Sequence, residues 1–426
     1  MKIKISSIKA AFHYFLIYMM LTVNQSVLYA ITLKNQVYIL IAVAIVLCFL
    51  FRNSSNRREL QYFVVLALVL LASVFCVRIM TNGIGLIAWA RWMVGPFYLL
   101  AAYMYEKDRF VERFIKTVEA LALVSIVCWG IQMVNPDILK AFLRPHDSHW
   151  TYNIWSSATE YKTYSYTSYG TLFYSFTDSP TSTGRNTSIF TEPGVYQMVL
   201  NSALCCLLFF GEHVNFSRKE YGRCIVILLL AIASCQSTTG YLGLMVILLV
   251  FFMEKQNDIG IIRTTIVRLA LFAIVCLSCD FAIRGEQSLL QTVLIDKLFT
   301  DTGAFSVNAG TGSYRMAMIG LCLASMISHP FGIGSAAVEA MVNASGTSAV
   351  AAAILVLGAS VGIIPFLFYL GWLFAPVFKN NRALIIKFLF VFLYFNTTLG
   401  QSSAFYPVLI IPTLLCFGFK ACSEDA

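Results

Sequence analysis

Charged residues are scarce in this chain. Only 12% of its 426 residues are Asp, Glu, Lys or Arg, and 59% are hydrophobic, whereas an ordinary soluble domain is about 25% charged and about 45–50% apolar. This composition excludes a water-soluble protein. Apolar runs of about 20 residues recur along the chain, each long enough to cross a hydrocarbon core about 30 Å thick. The backbone must satisfy its own hydrogen bonds there, so the runs are predicted to be helices.

Several chemical motifs are missing as well. The chain has no glycine-rich phosphate loop of the P-loop type, only five histidines, and no paired-carboxylate or His-rich metal motif. We therefore predict no metal and no cofactor. The twelve cysteines lie mostly inside apolar runs, where cysteine is a small hydrophobe, so no disulfide framework is expected. The net charge of +9 is scattered between the apolar runs, which argues against a nucleic-acid partner.

Hydropathy predicts an all-α polytopic membrane protein with about twelve transmembrane helices. The predicted spans are 10–29, 37–51, 62–80, 84–105, 114–134, 195–210, 224–235, 240–253, 264–283, 350–374, 383–398 and 405–419. Spans seven and eight are divided at the polar turn 237–240, because an undivided run of about 30 apolar residues exceeds what one span needs. The chain then reads as helices 1–5 (1–134), a large loop (135–191), helices 6–9 (192–283), a second large loop (284–349) and helices 10–12 (350–426).

The basic residues predict the orientation of these helices. With the N-terminus inside, 20 of the 30 Lys and Arg residues fall on the cytoplasmic side, as the positive-inside bias requires. Both termini are then cytoplasmic, and both large loops lie outside. Loops of this length are usually functional or disordered, and the first is too rich in aromatic residues for disorder.

Arginines on the outer side oppose this bias and need another explanation. Arg185 precedes Glu192-Pro193-Gly194 where the first loop re-enters the membrane, and Arg315 lies in the second loop. Guanidinium groups suit bidentate capture of phosphate; an ion pair between Arg185 and Glu192 is the structural alternative. Arg91 lies near the outer end of a span, where it either serves function or extends to the headgroups.

These segments resemble a family. The sequence Arg-Asn-Thr-Ser-Ile-Phe-Thr-Glu-Pro-Gly at 185–194, followed by a helix, resembles the signature at a membrane re-entry in bacterial O-antigen polymerases and ligases. The later Gly-Ser-Tyr-Arg at 312–315, an interfacial helix, His-Pro-Phe-Gly-Ile-Gly at 329–334 and a closing helix over 358–374 resemble the second half of that signature. The resemblance covers residues 185–374.

The resemblance implies glycan assembly at the periplasmic face of the bacterial inner membrane. A polymerase moves a growing glycan from undecaprenyl diphosphate onto the next lipid-linked repeat unit, so the expected partners are that donor, that acceptor, the lipid bilayer and a chain-length regulator. A ligase delivers the glycan to lipid A core instead, and usually carries a His before the helix that closes the second loop. Residues 341–348 hold no His, which favours the polymerase over the ligase.

Each candidate residue has a functional and a structural interpretation. Glu192 either acts as acid or base or orients Arg185, and His329 either transfers protons or ends a helix. Arg185 and Arg315 are expected to bind the diphosphate, with Arg91 and Arg284 as further candidates. The aromatic residues either stack on sugars or anchor the chain at the interface; the candidates are Trp150, Trp155, Tyr166, Tyr169 and Tyr314.

A lipid-linked oligosaccharide flippase is the alternative from another class. A transporter of this size is expected to show pseudo-repeated halves and charged residues near the membrane midplane. The unusual residues of this chain lie in outer loops instead, which favours the enzyme.

Overall fold

Helices make up most of the computed structural model, which describes residues 5–32, 57–81, 86–153, 163–178, 184–254, 285, 312–344, 352–401 and 403–418. The helices are α1 (Ile5–Thr22), α2 (Val27–Thr32), α3 (Arg57–Thr81), α4 (Leu86–Tyr105), α5 (Lys107–Val134), α6 (Pro136–Phe142), α7 (Pro193–Phe209), α8 (Arg218–Cys235), α9 (Thr238–Glu254), α10 (Gly312–Ser328), α11 (Ser335–Ala344), α12 (Ala353–Val361), α13 (Ile363–Lys379), α14 (Leu384–Thr398) and α15 (Pro407–Gly418). A mostly helical chain is compatible with the all-α prediction.

Among the described residues, two helices are long and apolar enough to cross a membrane. They are Arg58–Val77 within α3 and Lys107–Val134, and six further apolar helices have 10–17 residues. Length and composition alone give weak support for a membrane protein. The count of twelve spans and their orientation therefore stay predictions, and the predicted spans 37–51 and 264–283 lie outside the described residues.

The division between the seventh and eighth predicted spans is confirmed. Helix α8 ends at Cys235, and Gln236 adopts a left-handed backbone conformation with φ of 50°. Helix α9 then starts at Thr238. At its other end α8 has a capping box, in which Ser217 accepts from the Glu220 backbone and Glu220 accepts from the Ser217 backbone, so local sequence defines both ends.

The prediction of one continuous helix over 10–29 is wrong. Helix α1 ends at Thr22 and α2 begins at Val27. The side-chain amide of Asn24 donates to the carbonyls of Met20 and Leu21, both over 3.1 Å, and Gln25 has a φ of 59°. A polar side chain that bonds the backbone of the preceding turn competes with continuation of the helix.

The prediction of one continuous helix over 350–374 is also wrong, because α12 and α13 are separated at Gly362. This residue has a φ of 90°, and a Cβ built on it would lie 2.4 Å from the carbonyl oxygen of Pro330. The segment 329–334 packs backbone to backbone against the break: Ile363 donates to Pro330 over 2.9 Å, and Ile333 donates to Ala359 over 3.0 Å. Only glycine allows two backbones to approach this closely.

The first large loop contains ordered structure that hydropathy does not detect. Helix α6 is followed by an antiparallel sheet of β1 (Pro145–Asn153), β2 (Thr163–Tyr169) and β3 (Phe176–Asp178), in the order β1-β2-β3. Leu139, Tyr174 and Phe176 form a small buried cluster beneath it. The sheet is an addition to the all-α prediction.

One end of the helical bundle is rich in ion pairs. Glu59 pairs with Lys107 at 2.5 Å, and Glu119 pairs with Arg223 at 2.9 Å. On the same side Lys116 lies over the ring of Phe216, with 5.3 Å from Nζ to the ring centre. The first contact joins α3 to the start of α5, and the other two join α5 to the start of α8 and the residues just before it. The sequence predicts that this end faces the cytoplasm.

Candidate functional site

Arg185 lies in residues 184–192, the described part of the segment between β3 and α7; this part is called the 184–192 loop. The Nε of Arg185 donates to the carbonyl of Cys235, the last residue of α8, over 3.2 Å. Burial lowers the pKa of the Arg185 guanidinium, and the electrostatic influence of Glu192 is among the effects that oppose this. None of the ion pairs among the described residues includes Arg185. The site therefore holds a largely enclosed cation whose described hydrogen bond goes to a carbonyl.

Asn186 fixes this loop from inside the bundle. Its side chain is fully buried, and its amide nitrogen donates to the hydroxyls of Ser125 on α5 and Ser234 on α8, over 3.1 and 2.9 Å. Its amide oxygen accepts from the backbone of Ser188 over 3.0 Å. Moving Asn186 would break these hydrogen bonds and leave buried polar groups unsatisfied, which is costly. Asn186 is therefore held in place, and it fixes the position of the neighbouring Arg185.

The end of the loop is held by the break between α1 and α2. Val27 donates to the carbonyl of Ile189 over 2.9 Å, and Thr191 donates to the carbonyl of Gln25 over 3.1 Å. Ser26 and Phe190 pair as an isolated antiparallel bridge. The interruption of the first predicted span thus exposes backbone groups that receive residues 189–191.

Glu192 is the N-cap residue of α7. Its backbone carbonyl accepts from Val195 and Tyr196, both over 3.2 Å, and Pro193 takes the first helical position, where its missing N–H costs nothing. The Glu192 side chain makes no capping hydrogen bond to this helix. Its carboxylate nevertheless sits at a helix N-terminus, where the helix dipole favours negative charge.

Polar side chains form a layer behind this turn. The Gln197 amide, oriented to match donors with acceptors, donates to the hydroxyl of Ser237 over 3.1 Å and accepts from the backbone of Tyr241 over 3.0 Å. Asn396 on α14 donates to the carbonyl of Thr239 over 2.9 Å. The layer joins α7 and α14 to the first turn of α9, which begins three residues after Cys235, the hydrogen-bond partner of Arg185.

The sequence analysis identified Arg185 and Glu192 but missed Asn186 and the polar layer. The sequence signal for these residues is an Asn or Gln inside an apolar run or at its edge. Such an amide needs hydrogen-bond partners that are also buried. Gln197 and Asn201 both lie in the sixth predicted span. Their hydrogen-bond partners belong to other helices, so the spacing of residues in the sequence does not identify them.

Among the described residues, none of the three other arginine candidates is shown in contact with Arg185 or Glu192. Arg284 is outside the described residues, and Arg315 lies in the first turn of α10 with its side chain outside the described part. Arg91 is exposed on α4. Beside it, the ring of Trp92 stacks on Phe405 with 5.9 Å between ring centres.

His329 lies directly after the end of α10, as its spacing from Arg315 predicts. Its backbone donates to the carbonyl of Ser325 over 2.8 Å, and its Nδ1 is 2.9 Å from the hydroxyl of Ser328. The side chain is exposed. These contacts fit a helix-ending role, and the proton-transfer role stays untested.

The aromatic candidates are distributed between the sheet and the second loop. Trp150 lies on β1 and Tyr166 on β2, opposite Ser148, whereas Trp155 is outside the described residues. The ring of Tyr169 on β2 stacks on Phe176 of β3 with 5.2 Å between ring centres. Tyr169 therefore packs within the sheet of the first large loop. Tyr314 is in the first turn of α10; its side chain is outside the described part.

Comparison with known proteins identifies no relative: no family model, no curated protein and no solved structure matches this chain.

Proposed function

We propose that this protein is a glycan polymerase that uses undecaprenyl-diphosphate-linked repeat units at the periplasmic face of a bacterial inner membrane. One observation carries the proposal: Arg185 and Glu192 both belong to the 184–192 loop, and buried hydrogen bonds to α5, α8 and the α1–α2 break hold that loop. A cation and a carboxylate held in this way meet the two needs of glycosyl transfer from a lipid diphosphate.

The chemistry follows from those two side chains. The acceptor hydroxyl attacks the anomeric carbon of the donor glycan, the bond from that carbon to the diphosphate oxygen breaks, and undecaprenyl diphosphate leaves with its negative charge. Arg185 is proposed to stabilise that charge, because a preorganised cation in a largely enclosed site acts strongly on charge that develops there. Arg315 is proposed as its counterpart from the second loop. Glu192 is proposed to take the proton from the acceptor hydroxyl.

The electrostatic balance of the loop supports these roles. Burial of Arg185 is offset by carbonyl and carboxylate neighbours rather than by a salt bridge among the described residues. A guanidinium in this state gains more from an incoming diphosphate than one already paired with a carboxylate. Arg185 is therefore proposed to bind the diphosphate directly.

The membrane orientation belongs to the same proposal. The ion-pair-rich end that joins α5 to α8 is proposed to face the cytoplasm, in agreement with the positive-inside bias. Arg185 contacts the last residue of α8, and Glu192 precedes the first residue of α7. Both helix ends lie away from the ion-pair-rich end, so the two residues would face the periplasm, where the lipid-linked donor and acceptor are presented.

Reconstitution provides the direct test. The purified protein, given lipid-linked repeat units in lipid vesicles without nucleotide, is expected to produce a ladder of longer glycans on the lipid carrier. Analysis of lipopolysaccharide from a host lacking the gene separates the alternatives. Core bearing a single repeat supports the polymerase, core bearing none indicates a ligase, and repeat units trapped inside the cell indicate a flippase.

A further inference from the structure

A small polar cavity lies behind the Glu192-Pro193-Gly194 turn, between α7, α9, α14 and α15. Its volume is about 20 Å³, and Met198, Asn201 and Gln401 are among its lining residues. A single water molecule needs about 10–15 Å³ measured in the same way. The cavity therefore has room for one water and is too small for a sugar.

Two acceptor atoms in the lining have no donor. The amide oxygens Oδ1 of Asn201 and Oε1 of Gln401 are buried and have no hydrogen-bond partner among the described residues; the two side chains are 6% and 8% exposed. The nitrogen of the Asn201 amide is already used, since it donates to the carbonyl of Gly240 over 3.0 Å. A donor from outside the described residues would therefore be needed to satisfy these two oxygens.

We propose that this cavity binds one water molecule, which donates one hydrogen to Asn201 Oδ1 and the other to Gln401 Oε1. The two hydrogens of water equal the number of orphan acceptors, and buried waters typically satisfy groups of this kind. A monovalent cation would also bind oxygen atoms, but none of the residues that line the cavity is a carboxylate.

The bound water links two parts of the chain that are far apart in sequence. Gln401 belongs to the connection between α14 and α15, and Asn201 lies two turns into α7. The Gln401 amide also presses on Gly194, where a Cβ would lie 2.4 Å from Nε2. The water thus secures the connection against the first turns of α7. This inference does not depend on the proposed glycosyl transfer.

Radiolytic footprinting tests the site, because X-rays convert a bound water into a hydroxyl radical that oxidises its neighbours. Met198 lines the cavity and is 3% exposed, while Met20 and Met93 are 0% and 1% exposed and do not line it. Because a bound water places the radical source next to its side chain, we expect Met198 in the intact protein to oxidise faster than those two methionines. Equal rates for the three would overturn the proposal.

Two further measurements make the assignment specific. Asn201→Leu removes one acceptor and fills the cavity, so Met198 oxidation is expected to drop to the rate of Met20; if that variant does not fold, Gln401→Met serves the same purpose. The unfolding temperature is then measured in NaCl, KCl and choline chloride at equal ionic strength. A midpoint that depends on Na⁺ or K⁺ would assign the cavity to a cation and contradict the water.

Discussion

Asn186 and Ser234 are joined by two hydrogen bonds. The Asn186 backbone donates to the Ser234 carbonyl over 3.1 Å, and the Asn186 amide donates to the Ser234 hydroxyl over 2.9 Å. The 184–192 loop is therefore attached to the end of α8 immediately beside Arg185. Positioning of the proposed catalytic cation thus depends on a residue that carries no charge.

Removing this amide is expected to weaken both the fold and the activity. Asn186→Ala deprives the Ser188 backbone of its acceptor and two buried hydroxyls of their donor, so a loss of about 1–3 kcal/mol is expected. Thermal unfolding of the purified protein measures it, with Asn215→Ala, an exposed position, as the matched control. If the two variants unfold at the same temperature, Asn186 does not hold the loop.

The glycine at the α12–α13 break is expected to be irreplaceable. In Gly362→Ala a methyl group would lie 2.4 Å from the Pro330 carbonyl at a φ of 90°, which is expected to cost at least about 1–3 kcal/mol. Gly371→Ala is the control, because nothing lies within 4 Å of its added Cβ and alanine stabilises a helix interior by about 0.5–1 kcal/mol. Opposite shifts of the unfolding temperature are expected; a tolerated Gly362→Ala would contradict the tight backbone packing.

Substitution of the arginines tests diphosphate capture. Arg185→Lys keeps the charge but loses the planar fork, so it is expected to reduce polymerisation strongly, and Arg185→Ala and Arg315→Ala are expected to abolish it. The readout is glycan length from the vesicle assay, with the amount of each variant in the membrane as the control for folding. Full-length product from Arg315→Ala at normal protein level would remove that residue from the site.

Glu192 is expected to contribute beyond orienting Arg185. Glu192→Gln keeps the shape of the side chain and should lower the rate by about a hundredfold to ten-thousandfold if the carboxylate is the general base. The unfolding temperature of the variant is the control for folding, and the N-cap hydrogen bonds of α7, which come from the backbone of this residue, are kept. Turnover close to that of the unmodified protein would leave Glu192 with a structural role.

Thiol labelling in intact cells tests the orientation. In a background whose accessible native thiols are replaced by serine, an impermeant reagent is expected to label Asp137→Cys and to leave Asn215→Cys unlabelled. Both positions are exposed, so the difference reports the side of the membrane and not burial. Labelling of Asn215→Cys would reverse the proposed topology.

The apolar runs, and the polar residues that separate them, were enough to predict most helix positions from the sequence alone. The helix through residues 195–210, the division between α8 and α9, and the end of α10 before His329 all correspond to local signals. Such features depend on neighbours within a few residues, through propensity, caps and turns. Arg185 and Glu192 were identified for a related reason, since their predicted side of the membrane follows from charge patterning.

Only the tertiary structure decided where helices break and which buried groups meet. Asn24 favours a break after α1 locally, but residues 189–191, far away in the chain, satisfy the backbone groups of Gln25–Val27 that the break leaves open. The second break needs Gly362 and segment 329–334 together. Asn186 likewise finds its partners on α5 and α8. Each of these features satisfies a buried polar or backbone group through a distant residue, and no local pattern in the sequence encodes that pairing.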